Sequence, residues 1–208
     1  MRTLTREIQA HLSPEQAIQL LKDGNQRFIG NLKLGRNLLQ QVNETCEGQF
    51  PFAVILSCID SRTSAELIFD QGLGDIFSCR IAGNILNEDI LGSMEFACHI
   101  AGSKVIMILG HSKCGAVKGA CHGVKLGNLT ALLDKLSPAI NTALSEKVGA
   151  DTSDPAFMKE VGRLNVHHVM NEIPKRSQIL AKMLANNEIA LIGGMYDVDT
   201  GGVTFYDR

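Results

Sequence analysis

The 208-residue sequence predicts an α/β fold, a mostly parallel β-sheet flanked by helices, with an N-terminal helical arm and a C-terminal edge hairpin. Two observations carry this expectation. Four continuous apolar runs, FAVILS (52–57), DIFSCRI (75–81), KVIMILG (104–110) and EIALIGGMY (188–196), have the character of parallel strands buried on both faces. Segments with helix-like apolar spacing alternate with them, which is the pattern of an open parallel sheet covered by helices. The composition, 45% apolar and 20% charged with 5 prolines, suits one sizeable core, so residues 1–208 are expected to form one domain: an arm over 1–50 and an α/β core over 51–208.

In chain order, the arm's helix starts at SPEQ (13–16), with Ser13 as N-cap, Pro14 at the first helical position and Gln16 closing a capping box. Ala17, Leu20, Leu21 and Phe28 follow at roughly helical spacing. From 30 to 50 the pattern weakens among Gly30, Gly35, Gly48 and several Asn and Gln, and this stretch is expected to cross a surface, one that another subunit could supply. Helices are expected over EDILGSMEFACHIA (88–101), LTALLDKLSPAINTAL (129–144) and, behind an Asp154 cap with Pro155, PAFMKEVGRLNVHHVMNEI (155–173). VTFYD (203–207), after the DTGG turn, reads as the closing edge strand of the hairpin.

A net charge of −2 and an isoelectric point near 6.3, with no block of like charges, argue against nucleic acid or anionic membrane as partners. No run reaches eighteen apolar residues and the opening MRTLTREIQAHLS has no apolar core of a secretory signal, so a cytoplasmic location is expected. The expected partners are small molecules and other protein chains. Six cysteines could make three disulfides, yet a chain with this much core does not need them, and several sit inside apolar runs; reduced thiols, some available to a metal, are expected.

In an open α/β sheet ligands gather beyond the carboxyl ends of the strands. Two such ends are chemically loaded: CIDSR (58–62) follows FAVILS, and GHSKCGAV (110–117) follows KVIMIL. His111 and Cys114, three residues apart across a turn, can face one ion that Cys58 reaches from the neighbouring strand. Two sulfurs and an imidazole favour zinc, and three protein ligands match a catalytic zinc that keeps a position open. Taken singly, His-x-x-Cys could be core packing, Cys58 a buried small hydrophobe, and Asp60 with Arg62 a surface pair.

These motifs, Cys-x-Asp-x-Arg and His-x-x-Cys, resemble those of the β-class carbonic anhydrases, as do the blocks LLKDGNQRF (20–28) and FDQGLGDIFSCRIAGN (69–84). The resemblance implies one Zn2+ per chain held by Cys58, His111 and Cys114, a dimer or an assembly of dimers, and reversible hydration of CO2 to bicarbonate and a proton through attack of zinc-bound hydroxide. It implies an Asp60–Arg62 dyad beside the ion. Gln49, nine residues before Cys58, has the spacing of a substrate-binding glutamine in plant-type members, and the Gly115 backbone N–H offers a second donor to substrate. Phe77 and Phe96 match aromatic pocket positions, with Phe96 where the family usually has Tyr. Two rivals stand beside this reading: hydrolysis of carbonyl sulfide or carbon disulfide by the same hydroxide, and a noncatalytic zinc module in which Asp60 fills the fourth position for good.

Overall fold

The computed structural model describes residues 3–206. Strands β1 (Ala53–Ser57), β2 (Ile76–Arg80), β3 (Val105–His111), β4 (Ala190–Tyr196) and β5 (Val203–Tyr206) form one sheet in the order β2-β1-β3-β4-β5. The first four are parallel and β5 returns antiparallel on the edge of β4, so the expected parallel sheet and edge hairpin are both present. Asp207, the last residue of the expected edge strand, lies outside the described residues. β1 is buried along its whole length and so is β3, which is why their sequences run apolar without alternation. The chain leaves β1 toward β2 on one side and reaches β3 on the other. The order therefore reverses at the β1/β3 boundary, the place where such sheets open a crevice beyond their strand ends.

Helices α1 (Arg6–His11), α2 (Pro14–Ile29) and α3 (Leu38–Thr45) precede the sheet. The Ser13/Gln16 capping box forms as the sequence predicts. α2 packs on the chain's own sheet: Ala17 and Leu21 cluster with Phe52, Ile55, Phe69 and Met107 on one face. Buried Asn25 fastens it there, donating to the carbonyls of Ile68 and Gly201 and accepting from the Val203 amide. The stretch from 30 to 50 contains α3, which the sequence pattern does not show. Its Leu38, Leu39 and Val42 are exposed, so no apolar stripe is matched to a core; Gln41 is its buried residue, accepting from the Leu73 amide.

α4 (Ala65–Ile68) links β1 to β2, and α5 (Glu88–Glu95) continues as a π-helical segment, Phe96–Ile100, before β3. After β3 come α6 (Gly115–Cys121), α7 (Gly127–Asp134), α8 (Ser137–Glu146), α9 (Pro155–Arg176) and α10 (Gln178–Ala185). The expected helix over 129–144 is thus two helices, broken at Lys135–Leu136. Pro138 has no N–H to continue the first helix and sits in the opening turn of the second, where none is needed. The 22-residue α9 starts at the Asp154 cap and lies on β3 and β4. It comes close because the strands present glycines: a Cβ on Gly110 would fall 2.8 Å from Val166 Cγ2, and one on Gly193 2.7 Å from Val166 Cγ1. That close seat brings the middle of α9 to the carboxyl end of the sheet.

The docking of α2 has a signed test. In an isolated helix Gly→Ala stabilises by about 0.5–1 kcal/mol. At Gly24 the new Cβ would overlap the backbone carbonyl of Phe69, so Gly24→Ala is expected to destabilise by about 1–3 kcal/mol through overpacking. Urea denaturation reads the sign directly; a raised midpoint would mean that α2 does not sit on the α4–β2 connection.

Candidate metal centre

Cys58 is the first residue past β1, His111 the last of β3, and Cys114 the N-cap of α6. Ser57 pairs with Leu109, so β1 ends two residues before β3 does, and the β1/β3 crevice opens between Cys58 and His111. Lys113 turns the chain with a positive φ of 56°, which swings Cys114 back toward both. The ligand atoms of Cys58, His111 and Cys114 lie within 4.8 Å of one another and all three residues are buried. This is the one such group of three among the described residues.

The chemistry of the trio fits a zinc ion. His111 Nδ1 lies 2.9 Å from the Ser112 carbonyl, which can only accept, so Nδ1 carries the proton and Nε2 keeps its lone pair. That Nε2 is buried and has no hydrogen-bond partner, a costly arrangement for a polar atom unless a cation takes the lone pair. The two sulfurs are 3.9 Å apart. Cys58 is held far below the ordinary thiol range, first by a hydrogen bond from Cys114 and with help from the Gly83 amide, acting against burial. Cys114 is pushed up by the same bond, by burial and by the charge of Cys58. Two buried thiolates cannot stand side by side unaided; a divalent cation lets both ionise.

Asp60 and Arg62 form a two-pronged pair beside the cluster. Arg62 Nε donates to Oδ1 at 2.9 Å and Nη2 to Oδ2 at 2.8 Å, and the Arg62 amide adds a third bond to Oδ1 at 3.0 Å. These bonds hold the Asp60 carboxyl well below the usual carboxylate range. Arg62 itself is half exposed. Its orientation comes from the fork geometry, which fixes the plane of the carboxylate as well as its charge.

Of the other expected site residues, Gly115 adjoins the trio while Gln49, Phe77 and Phe96 lie apart from it. Gly115 opens α6 directly after Cys114, exposed, and a Cβ there would meet nothing within 4 Å. Gln49 is exposed and lies near Gly74, before β2 starts, at the end of the sheet opposite the cluster. Phe77 pairs with Val54, three residues short of the end of β2, and meets Phe96 edge-on at 6.2 Å in a shallow depression with Cys79 and Glu88. Within one chain, Gln49, Phe77 and Phe96 do not join Cys58, His111 and Cys114.

Four supporting residues escape the sequence reading. Arg80 Nε donates to the Cys58 carbonyl at 3.1 Å and its Nη2 to the Asp60 carbonyl at 2.6 Å. The buried Thr63 hydroxyl lies 3.1 Å and 2.8 Å from the same two carbonyls. The Gly83 amide donates to Cys58 Sγ at 3.3 Å, and Asn165 Nδ2 donates to the Gly83 carbonyl at 2.9 Å. Only Asn165 leaves a sequence signal, an amide in the otherwise apolar buried stripe of a helix.

A doubly wound sheet whose two central strands end in a buried Cys-His-Cys trio defines an α/β protein with a soft-ligand metal-binding centre. The sequence profile of the carbonic anhydrase family matches residues 53–203. A curated relative, carbonic anhydrase 2 of Mycobacterium tuberculosis, is 32% identical over 202 residues, covering 94% of each chain. Among solved structures, the β-carbonic anhydrase CcaA superposes with a TM-score of 0.73 at 26% identity, covering 91% of this chain and 95% of its own. The β-carbonic anhydrase CafA of Aspergillus fumigatus superposes with a TM-score of 0.74 at 24% identity over 81% of each chain. The chain belongs to the carbonic anhydrase family, in its β class.

The trio predicts a ligand variant's behaviour. Cys58→Ser replaces a soft anion by a hydroxyl that stays protonated near neutral pH. Zinc content is expected to fall from about one per chain to well under half, measured by metal analysis after dialysis. Wild-type content in the variant would remove Cys58 from the ligand set.

Proposed function

We propose that the protein is a zinc enzyme that hydrates CO2 reversibly to bicarbonate and a proton, with Cys58, His111 and Cys114 as the three ligands. Carbonic anhydrase activity accompanies the family and class of the chain. The observation that carries the metal assignment is the buried, unpartnered His111 Nε2 within 4.8 Å of two thiol sulfurs. A zinc ion held there supplies Lewis acidity that makes hydroxide available from water near neutral pH.

The remaining roles fall to the chain's own groups. Arg62 keeps Asp60 anionic and engages both of its oxygens, which holds the carboxylate beside the trio and away from the role of a metal ligand. Asp60 retains lone pairs to accept a hydrogen bond from the attacking oxygen and aim it at carbon. This pairing supports the plant-type reading over a module in which Asp60 caps the ion permanently. The Gly115 N–H, unshielded by a side chain, is placed to donate to a CO2 oxygen as charge develops there. Gln49, Phe77 and Phe96 reach a substrate at the trio only if a second copy presents them. Exposed apolar side chains on the arm and on the π-helical segment, Leu38, Leu39, Phe96 and Ile100, support a homodimer or an assembly of dimers. Six free thiols, two of them 3.9 Å apart, support a reducing compartment, the cytoplasm.

Stopped-flow CO2 hydration with metal analysis on the same sample tests the proposal. In Arg62→Ala, turnover is expected to fall at least about tenfold while zinc content stays near wild type, since an interaction with the reacting centre is lost and no ligand is. Unchanged turnover would dismiss the dyad. The pH profile adds a second test. Two thiolate ligands cancel the formal charge of zinc and Asp60 adds another negative charge, so the proton of the catalytic water is held more tightly than in a three-histidine site, where its pKa is about 7. Its deprotonated form then gains population as pH rises. kcat/KM is expected to climb through neutral pH to an alkaline plateau; a profile flat from about pH 6.5 upward would contradict this charge balance.

A further inference from the structure

We propose that Asn165 is a positioning residue for the metal centre, fixing through the Gly83 carbonyl the amide that donates to Cys58 Sγ. The inference rests on Cys58 being a metal ligand and extends that reading to a helix remote in sequence.

The turn Ala82–Asn84 carries two consecutive left-handed residues, Gly83 with φ 69° and Asn84 with φ 42°. Glycine adopts this conformation freely, whereas Asn84, which carries a side chain, adopts it at a cost that the surrounding packing offsets. Gly83 is gripped on both sides. Its N–H points at Cys58 Sγ, 3.3 Å away, and its carbonyl receives Asn165 Nδ2 at 2.9 Å. There is no slack around it: a Cβ on Gly83 would lie 3.3 Å from both Ala116 Cβ and Leu136 Cδ1. Ala116 is in the first turn of α6, two residues past Cys114.

Asn165 is 1% exposed, and its neighbours in the buried stripe of α9 are Val161, Gly162, Val166 and Val169. An aliphatic residue there would bury without the desolvation cost of an amide, so the position is costly unless its hydrogen bond serves the fold or the site. The bond it makes ends one residue's backbone away from a metal-ligating sulfur. α9 itself is seated rigidly, with Val166 pressed against Gly110 and Gly193. Asn165 therefore transmits a fixed reference point from the long helix to the turn, and the turn sets the hydrogen bond that tunes Cys58. Partners of this kind typically change metal affinity 10–100-fold when removed.

The test compares Asn165→Leu, which keeps bulk and removes the donor, with Val169→Ala, which loosens the same helix and leaves the donor. Each full-length protein is loaded with zinc in competition with a chelator, and separately with cobalt to read the thiolate-to-cobalt absorption. Asn165→Leu is expected to lower zinc affinity at least about tenfold and to move the absorption to longer wavelength, because a sulfur that loses a fixed N–H donor gives up its electron more readily. Val169→Ala is expected to lose stability with wild-type affinity and band position. An unmoved band and affinity in Asn165→Leu, or an equal loss of affinity in Val169→Ala, would overturn the proposal. If the leucine variant does not fold, Asn165→Ala replaces it. If that fails as well, the wild-type protein decides by NMR: the Asn165 side-chain amide protons are expected to shift on zinc loading, and unshifted signals would overturn the proposal. A wild-type protein with no thiolate-to-cobalt band would instead dismiss Cys58 as a ligand, a failure of the metal reading that is separately visible.

Discussion

Two sulfurs 3.9 Å apart in a buried crevice cannot both carry charge without a cation between or beside them, and much of the structure around them answers that constraint. The His111 ring is turned by the Ser112 carbonyl so that its lone pair, and not its proton, faces the crevice. The Gly83 amide points at Cys58 Sγ. The amides of Ala116 and Val117, in the opening turn of α6, favour the charged form of Cys114. Each of these groups lowers the cost of a negative or electron-rich atom, and none could replace a positive ion.

The sheet topology supplies the place. Parallel pairing puts the ends of β1 and β3 side by side, and the two-residue difference in their lengths staggers Cys58 against His111 instead of setting them face to face. Arg80 and Thr63 then bind the carbonyls of Cys58 and Asp60, so the backbone that carries these two residues is fixed by the chain's own groups. Preorganisation of this kind matters for chemistry that depends on a lone pair being aimed at a small, uncharged molecule.

The strands and the Cys58-His111-Cys114 trio were legible in the sequence for a common reason: both follow from local pattern. FAVILS and KVIMILG are apolar because both faces of β1 and β3 are covered, and the two motifs lie directly behind them. α2 announced itself through its capping box. What could not be read depends on long-range packing. α3 shows no core-facing stripe, since its one buried side chain is the amide of Gln41. The break at Lys135–Leu136 falls inside an apolar pattern that two helices share as well as one would. The supports of the centre, Arg80, Gly83 and Asn165, act through backbone atoms brought together from β2, a turn and α9, and no spacing rule connects residue 165 to residue 83. Gln49, Phe77 and Phe96 carry family spacing but lie apart from the trio within the chain, because spacing along a sequence does not say where the fold places a residue.

The chemistry proposed for the site depends on its ligand set. X-ray absorption at the zinc edge of the wild-type, metal-loaded protein measures it without a variant. Two sulfurs at about 2.3 Å, with one imidazole nitrogen and one further light atom at about 2.0–2.1 Å, are the expected shell. A shell with one sulfur or with three or more, or one lacking the imidazole signature, would contradict the assignment of Cys58, His111 and Cys114.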